Sequence, residues 1–127
     1  MQDKVTYEYA IIRLVPKVER EEFLNIGVIL FSKRKKYLGI KYKIDAERIH
    51  AFSNEVDIDL IKKYMESWEL ICQGEPKGGI IGTFDIASRF RWLVASRSTI
   101  IQSSRTHPGL CGEPEQVLDD IFIRYVL

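Results

Sequence analysis

Apolar residues along the chain follow two rhythms. From Thr6 to Val15 the aromatic and β-branched residues Tyr7, Tyr9, Ile11, Ile12 and Val15 crowd together until Pro16 stops them, which predicts a first strand. Lys17, Glu19, Arg20, Glu21 and Glu22 then predict a solvated turn over 17–22. Asn25 to Phe31 is a near-continuous apolar run, the signature of a second strand that is central and covered on both faces. Gly27 inside it implies a bulge or the close approach of another backbone. Ser32-Lys33-Arg34-Lys35-Lys36 is a polar connector. Tyr37 to Lys43 alternates Leu38, Ile40 and Tyr42 with Gly39, Lys41 and Lys43, as a half-wet third strand does when it forms a hairpin with its predecessor.

The rhythm then changes to that of helices. Asp45 is placed to cap a short helix ending at Phe52. Asp57 to Gln73 lines Ile61, Tyr64, Met65, Trp68, Ile71 and Cys72 on one helical face, and Gly74 and Pro76 end it. Gly78-Gly79 is a flexible loop. Asp85 caps a third helix running to about Ala95, with Ile86, Phe90, Leu93 and Val94 inward. Trp68 and Trp92 sit among apolar neighbours and are both expected in the core. Arg97 to Ser104 predicts a fourth strand, Thr106-His107-Pro108-Gly109 a turn, and Glu113 to Leu127 a closing helix with Pro114 in its first turn. The order β-β-β-α-α-α-β-α predicts one α+β domain over residues 1–127, an antiparallel sheet of about four strands covered by helices. The fourth strand returns after a long helical excursion and is expected beside the first. That pairing would bring Arg105 and His107 toward Arg13, Glu22 and Asn25.

Length and charge narrow the classes. A chain of 127 residues suits one domain, and a formal net charge of +1 argues against a protein that coats nucleic acid, while leaving room for a local basic patch. The opening Met1-Gln2-Asp3-Lys4 carries no apolar targeting segment, and no run approaches the roughly 20 apolar residues that span a bilayer. A cytoplasmic protein without membrane contact is therefore expected. Cys72 and Cys111 are far apart and read as reduced thiols. No Cys or His cluster has zinc-like spacing, and the loop Gly78-Gly79-Ile80-Ile81-Gly82 lacks the pattern of a phosphate cradle, so no metal and no cofactor are expected.

Three groups of residues carry candidate chemistry. In the first, the Arg13 fork suits a phosphate or carboxylate, Glu22 a base, and Asn25 substrate orientation; the plainer reading is an Arg13–Glu22 salt bridge with Asn25 fixing the turn. The second is Ser103, Ser104, Arg105, Thr106 and His107, where hydroxyls, a guanidinium and an imidazole suit an anion or a proton transfer, against a plainer reading of His107 as a solvated turn residue. Third come Lys33, Arg34, Lys35, Lys36, Lys41 and Lys43, interleaved with Tyr37 and Tyr42, a composition that binds single-stranded nucleic acid or simply keeps a sheet edge soluble.

The pattern Tyr7-x-Tyr9-Ala10-Ile11-Ile12-Arg13-x-x-Pro16, followed by Glu22-Phe23-x-Asn25-Ile26-Gly27-Val28, resembles the opening of the bacterial family known as domain of unknown function 3037. Phe90-x-Trp92-Leu93, Arg97-Ser98-Thr99 and Ser103 to Gly109 are similar to its second half, so the resemblance covers nearly the whole chain. It implies a small bacterial protein without an assigned activity, whose relatives are sometimes encoded beside kinases of the persistence-toxin type, and it supplies no catalytic residues. Together these readings predict a cytosolic protein-interaction module, an accessory or regulatory subunit with a protein partner. Arg13, Glu22, Asn25, Ser103, Arg105 and His107 would form its recognition corner. A nucleic-acid-binding domain using the basic hairpin 33–43 is the alternative, and a small enzyme acting on a phosphorylated substrate a second one.

Overall fold

The structure, a computed structural model, describes residues 4–74 and 76–127. The reading of Met1-Gln2-Asp3 lies outside the described residues. Five strands and four α-helices follow one another as β1 (Val5–Leu14), β2 (Leu24–Ser32), β3 (Tyr37–Tyr42), α1 (Ala46–Phe52), α2 (Ile58–Gln73), α3 (Ile86–Leu93), β4 (Ile101–Ser103), β5 (His107–Cys111) and α4 (Pro114–Tyr125). This is a single α+β domain with an antiparallel sheet. The spatial order is β3-β2-β1-β4, with β5 also on β1. Short β4 pairs with Ile12–Leu14 and β5 with Val5–Tyr9, so two pieces of chain share the fourth position of the sheet. The pairing of the fourth strand with the first is as expected from the sequence.

The strand β5 corrects the sequence reading, in which Thr106-His107-Pro108-Gly109 was a turn. Pro and Gly normally break strands, yet this is an outer strand. A proline on a sheet edge need not donate to a neighbour. Gly109 lies under the Tyr7 ring, where a Cβ would come 2.4 Å from Tyr7 Cζ. The aromatic ring fills the space that a side chain on β5 would have taken.

Two apolar layers flank the sheet. Ala10, Ile12 and Leu14 of β1 and Ile26, Ile29 and Phe31 of β2 pack against Ile49 of α1, Ile61, Met65, Trp68 and Ile71 of α2, and Phe90 and Leu93 of α3. On the other face Ile11, Val28 and Leu30 meet Leu118, Ile121 and Phe122 of α4. β2 is thus covered on both sides, as its unbroken apolar run requires. The register slips between Ile12 and Arg13, where Ile12 opposes Gly27 and Arg13 opposes Asn25, leaving Ile26 as the extra residue of a bulge. Gly27 is needed there because a Cβ would stand 2.9 Å from the Lys41 carbonyl oxygen and 2.9 Å from Tyr42 Cβ.

The helices begin where the sequence places their caps. The Asp45, Asp57 and Asp85 carboxylates accept from backbone N–H groups of Arg48, Leu60 and Ser88. Each satisfies a donor that has no partner within its helix. Trp68 is buried, but Trp92 is 39 % exposed and does not belong to the core. Trp92 follows Phe90 by two residues, which at about 100° per residue turns it to the opposite side of α3.

Candidate functional site

Arg13 lies one residue before the end of β1, on the face that α4 shares, opposite Asn25. The predicted Arg13–Glu22 salt bridge is not formed. The loop after β1 winds into a short 3₁₀ turn at Val18–Arg20, Glu21 takes a left-handed conformation, and exposed Glu22 pairs with Arg20 instead. The Arg13 guanidinium carbon lies 4.0 Å from the centre of the Phe23 ring, a cation–π contact. Asn25 donates to the Tyr125 carbonyl oxygen at 3.2 Å, tying β2 to the end of α4. Arg13 Nε and Asn25 Oδ1 are both buried, and neither has a hydrogen-bond partner.

Ser103 opposes Ile12 and Gln102 opposes Arg13, so these neighbours of β4 face opposite sides of the sheet. Ser103 Oγ donates to the Ser104 carbonyl oxygen at 2.6 Å. Exposed Arg105 lies in the connector between β4 and β5. His107 opposes Tyr9, with ring centres 5.2 Å apart. Tyr9 precedes Arg13 by four residues, about 13 Å along a strand. The structure therefore joins Arg13 to Asn25, draws His107 out along the same face of β1, and sets Glu22 and Ser103 apart from them.

The basic hairpin is less uniform in space than in sequence. Lys33, Arg34, Lys35 and Lys36 are exposed in the β2–β3 turn, and Lys43 is exposed after β3. Lys41 is bound to Asp119 of α4 at 3.0 Å. Burial, then the nearby Glu115 and Asp119 charges, push the Tyr37 hydroxyl up to about 12. Burial, then a 2.7 Å hydrogen bond to Glu69 and its charge, push Tyr42 up to about 12. Both tyrosines of the hairpin are engaged by helices that the local sequence did not name.

Several hollows mark the surface of the described residues, including three of a few hundred cubic ångströms each. A cleft of about 420 Å³ lies between the β1–β2 turn and the end of α1, where the Lys17–Glu55 pair (3.3 Å) and the Arg20–Glu22 pair meet His50. A second, about 380 Å³, is lined by Asn25, Lys43, Asp45 and Arg48, with Arg48 donating to the Val126 carbonyl oxygen at 2.6 Å. The third, about 630 Å³ and shallow, lies over α3 among Phe84, Ala87, Ser88, Arg91 and Trp92. Arg97 stands 4.5 Å from the centre of Trp92 and donates to its carbonyl oxygen, while Arg91 forms a two-pronged pair with Glu8. Sequence reasoning missed Phe84 and Trp92 as surface groups. It also passed over Tyr7, Tyr9 and Phe23, whose period-two and loop positions were the signal available.

Among the described residues no helix is long and apolar enough to cross a membrane. The structure is a small α+β domain whose antiparallel sheet carries helices on both faces. The chain belongs to the family described as Protein of unknown function (DUF3037), which matches residues 9–126. Comparison with curated proteins gave no match, and comparison with solved structures gave none.

Proposed function

We propose that this chain is a protein-interaction module, an accessory or regulatory subunit that docks a partner protein on the hollow over α3. The observation that carries this reading is the exposure of Phe84 (41 %) and Trp92 (39 %), both lining that hollow, with Ile80 (77 %) in the preceding loop. Large aromatic groups held half in water are costly to leave bare, and they are the anchors that dominate protein interfaces. Arg97 and Arg91, fixed by Trp92 and Glu8, supply a polar rim. The matching partner surface presents an apolar side chain to the hollow and polar groups around it. A persistence-toxin-type kinase, suggested by the family resemblance, is the first partner to test.

The enzyme alternative has less support, because Glu22 and His107 belong to separate parts of the surface. The test is affinity capture of the tagged protein from its native host, followed by binding of the purified partner. The expected result is one partner at near-equal stoichiometry whose affinity falls at least about tenfold with Phe84→Ala and Trp92→Ala together. A partner held equally well by the double variant, or no stoichiometric partner, would overturn the reading.

A further inference from the structure

We infer that the β1–β5 side of the sheet, beside α4, binds single-stranded nucleic acid, with bases stacked on β1 and β5 and phosphates held by arginines. This inference is independent of the α3 docking surface, which lies on the other face of the sheet. α4 packs on β2 and β3. It also covers Ile11 of β1, and the same face continues past the helix along β5 and the Tyr7–Tyr9 part of β1.

Half-buried Tyr7 and Tyr9 border the α4 layer there with ring centres 6.3 Å apart, and exposed His107 adds a third ring 5.2 Å from Tyr9. Phe23, 44 % exposed, adds a fourth at the Arg13 end, carrying the guanidinium on its face. From Tyr7 to Arg13 the strand runs about 20 Å. Stacking surfaces of this kind on antiparallel sheets take two or three unpaired bases, because every base has a π-face.

Charge selects the occupant. Arg13 and Arg124 form no ion pair or side-chain hydrogen bond among the described residues; burial raises the Tyr9 hydroxyl above its ordinary value, and Arg124 lies close enough to oppose that rise. β1, β4 and β5 place no carboxylate on this face, since Glu8 turns to the other side to meet Arg91. Aromatic rings beside unpaired guanidinium groups, with no acid among them, suit a flat base attached to a phosphate. An acidic peptide would use the arginines and leave the row of rings without a partner.

The experiment is fluorescence anisotropy of the full chain with labelled 12-nucleotide single-stranded RNA and DNA and the matching duplexes, at about 50 and 200 mM salt. Single strands are expected to bind more tightly than duplexes, and to weaken as salt rises. Tyr9→Ala should weaken binding about tenfold, with Tyr9→Phe retaining it. His107→Ala, which removes an exposed ring, gives a second reading if Tyr9→Ala does not fold. Arg13→Gln should lower both affinity and its dependence on salt. Exchanging Lys33, Arg34, Lys35 and Lys36 for serine should leave affinity within about twofold, because the stacking surface supplies the specific contacts. No binding, binding lost with the hairpin exchange but kept with Tyr9→Ala and His107→Ala, or equal affinity for duplex would each overturn the inference.

Discussion

Ser104 joins β1 to the outer pair of strands with one buried side chain. Its Oγ accepts from the Ile11 N–H at 2.8 Å and donates to the Arg105 carbonyl oxygen at 2.8 Å, while its own N–H reaches the Ile11 carbonyl oxygen at 2.8 Å. Ser104→Ala leaves the Ile11 N–H buried without a partner, and the expected loss is about 1–3 kcal/mol in urea unfolding. A loss within error of zero would show that water takes over the role. Arg13 and Asn25 were legible as a polar pair worth following, but their partners were not. A one-residue bulge at Ile26 decides that Arg13 faces Asn25 on the α4 side. Sequence spacing carries no mark of such a slip, and a slip exchanges the two faces of a strand.

At the scale of elements, Gly27 lets β2 and β3 approach without a side chain between them. Gly27→Val would drive a side chain into the Lys41 carbonyl oxygen, a backbone atom that cannot swing aside. The expected cost is about 1–3 kcal/mol by the same unfolding measurement, the range for overfilling a packed site. An unchanged midpoint would mean that the hairpin can separate locally. The three first strands, the paired helices and their aspartate caps were readable, because strong period-two and period-3.6 patterns and capping residues act locally. β5 was not, because His107-Pro108-Gly109 carries the local chemistry of a turn and becomes a strand only through its contact with β1. Trp92 was misplaced for a related reason: apolar neighbours in sequence do not say which side of a helix a residue occupies.

The molecule as a whole should lose stability in alkali. The Tyr37 and Tyr42 hydroxyls rise from 10.0 to about 12, and burial raises the Cys72 thiol from 9.0 to about 12. Groups raised in this way stabilise the fold fully below their unfolded values and lose that contribution as pH climbs through the folded values. The urea midpoint is expected to hold near pH 8 and to fall progressively from about 9 toward 12. Tyr42→Phe should make the fall shallower, and a flat profile to about pH 11 would contradict the assignment. None of these shifts was legible beforehand, since each depends on a helix arriving over a distant strand. The shared fourth position of the sheet has a consequence for the order of assembly. Ile11 is bonded to Ser104, 93 residues further along. During synthesis β1 emerges well before β4 and β5, and its outer edge stays unpaired until they follow. In that interval the nascent chain carries an open, tyrosine-bearing strand edge, a template for pairing with other chains.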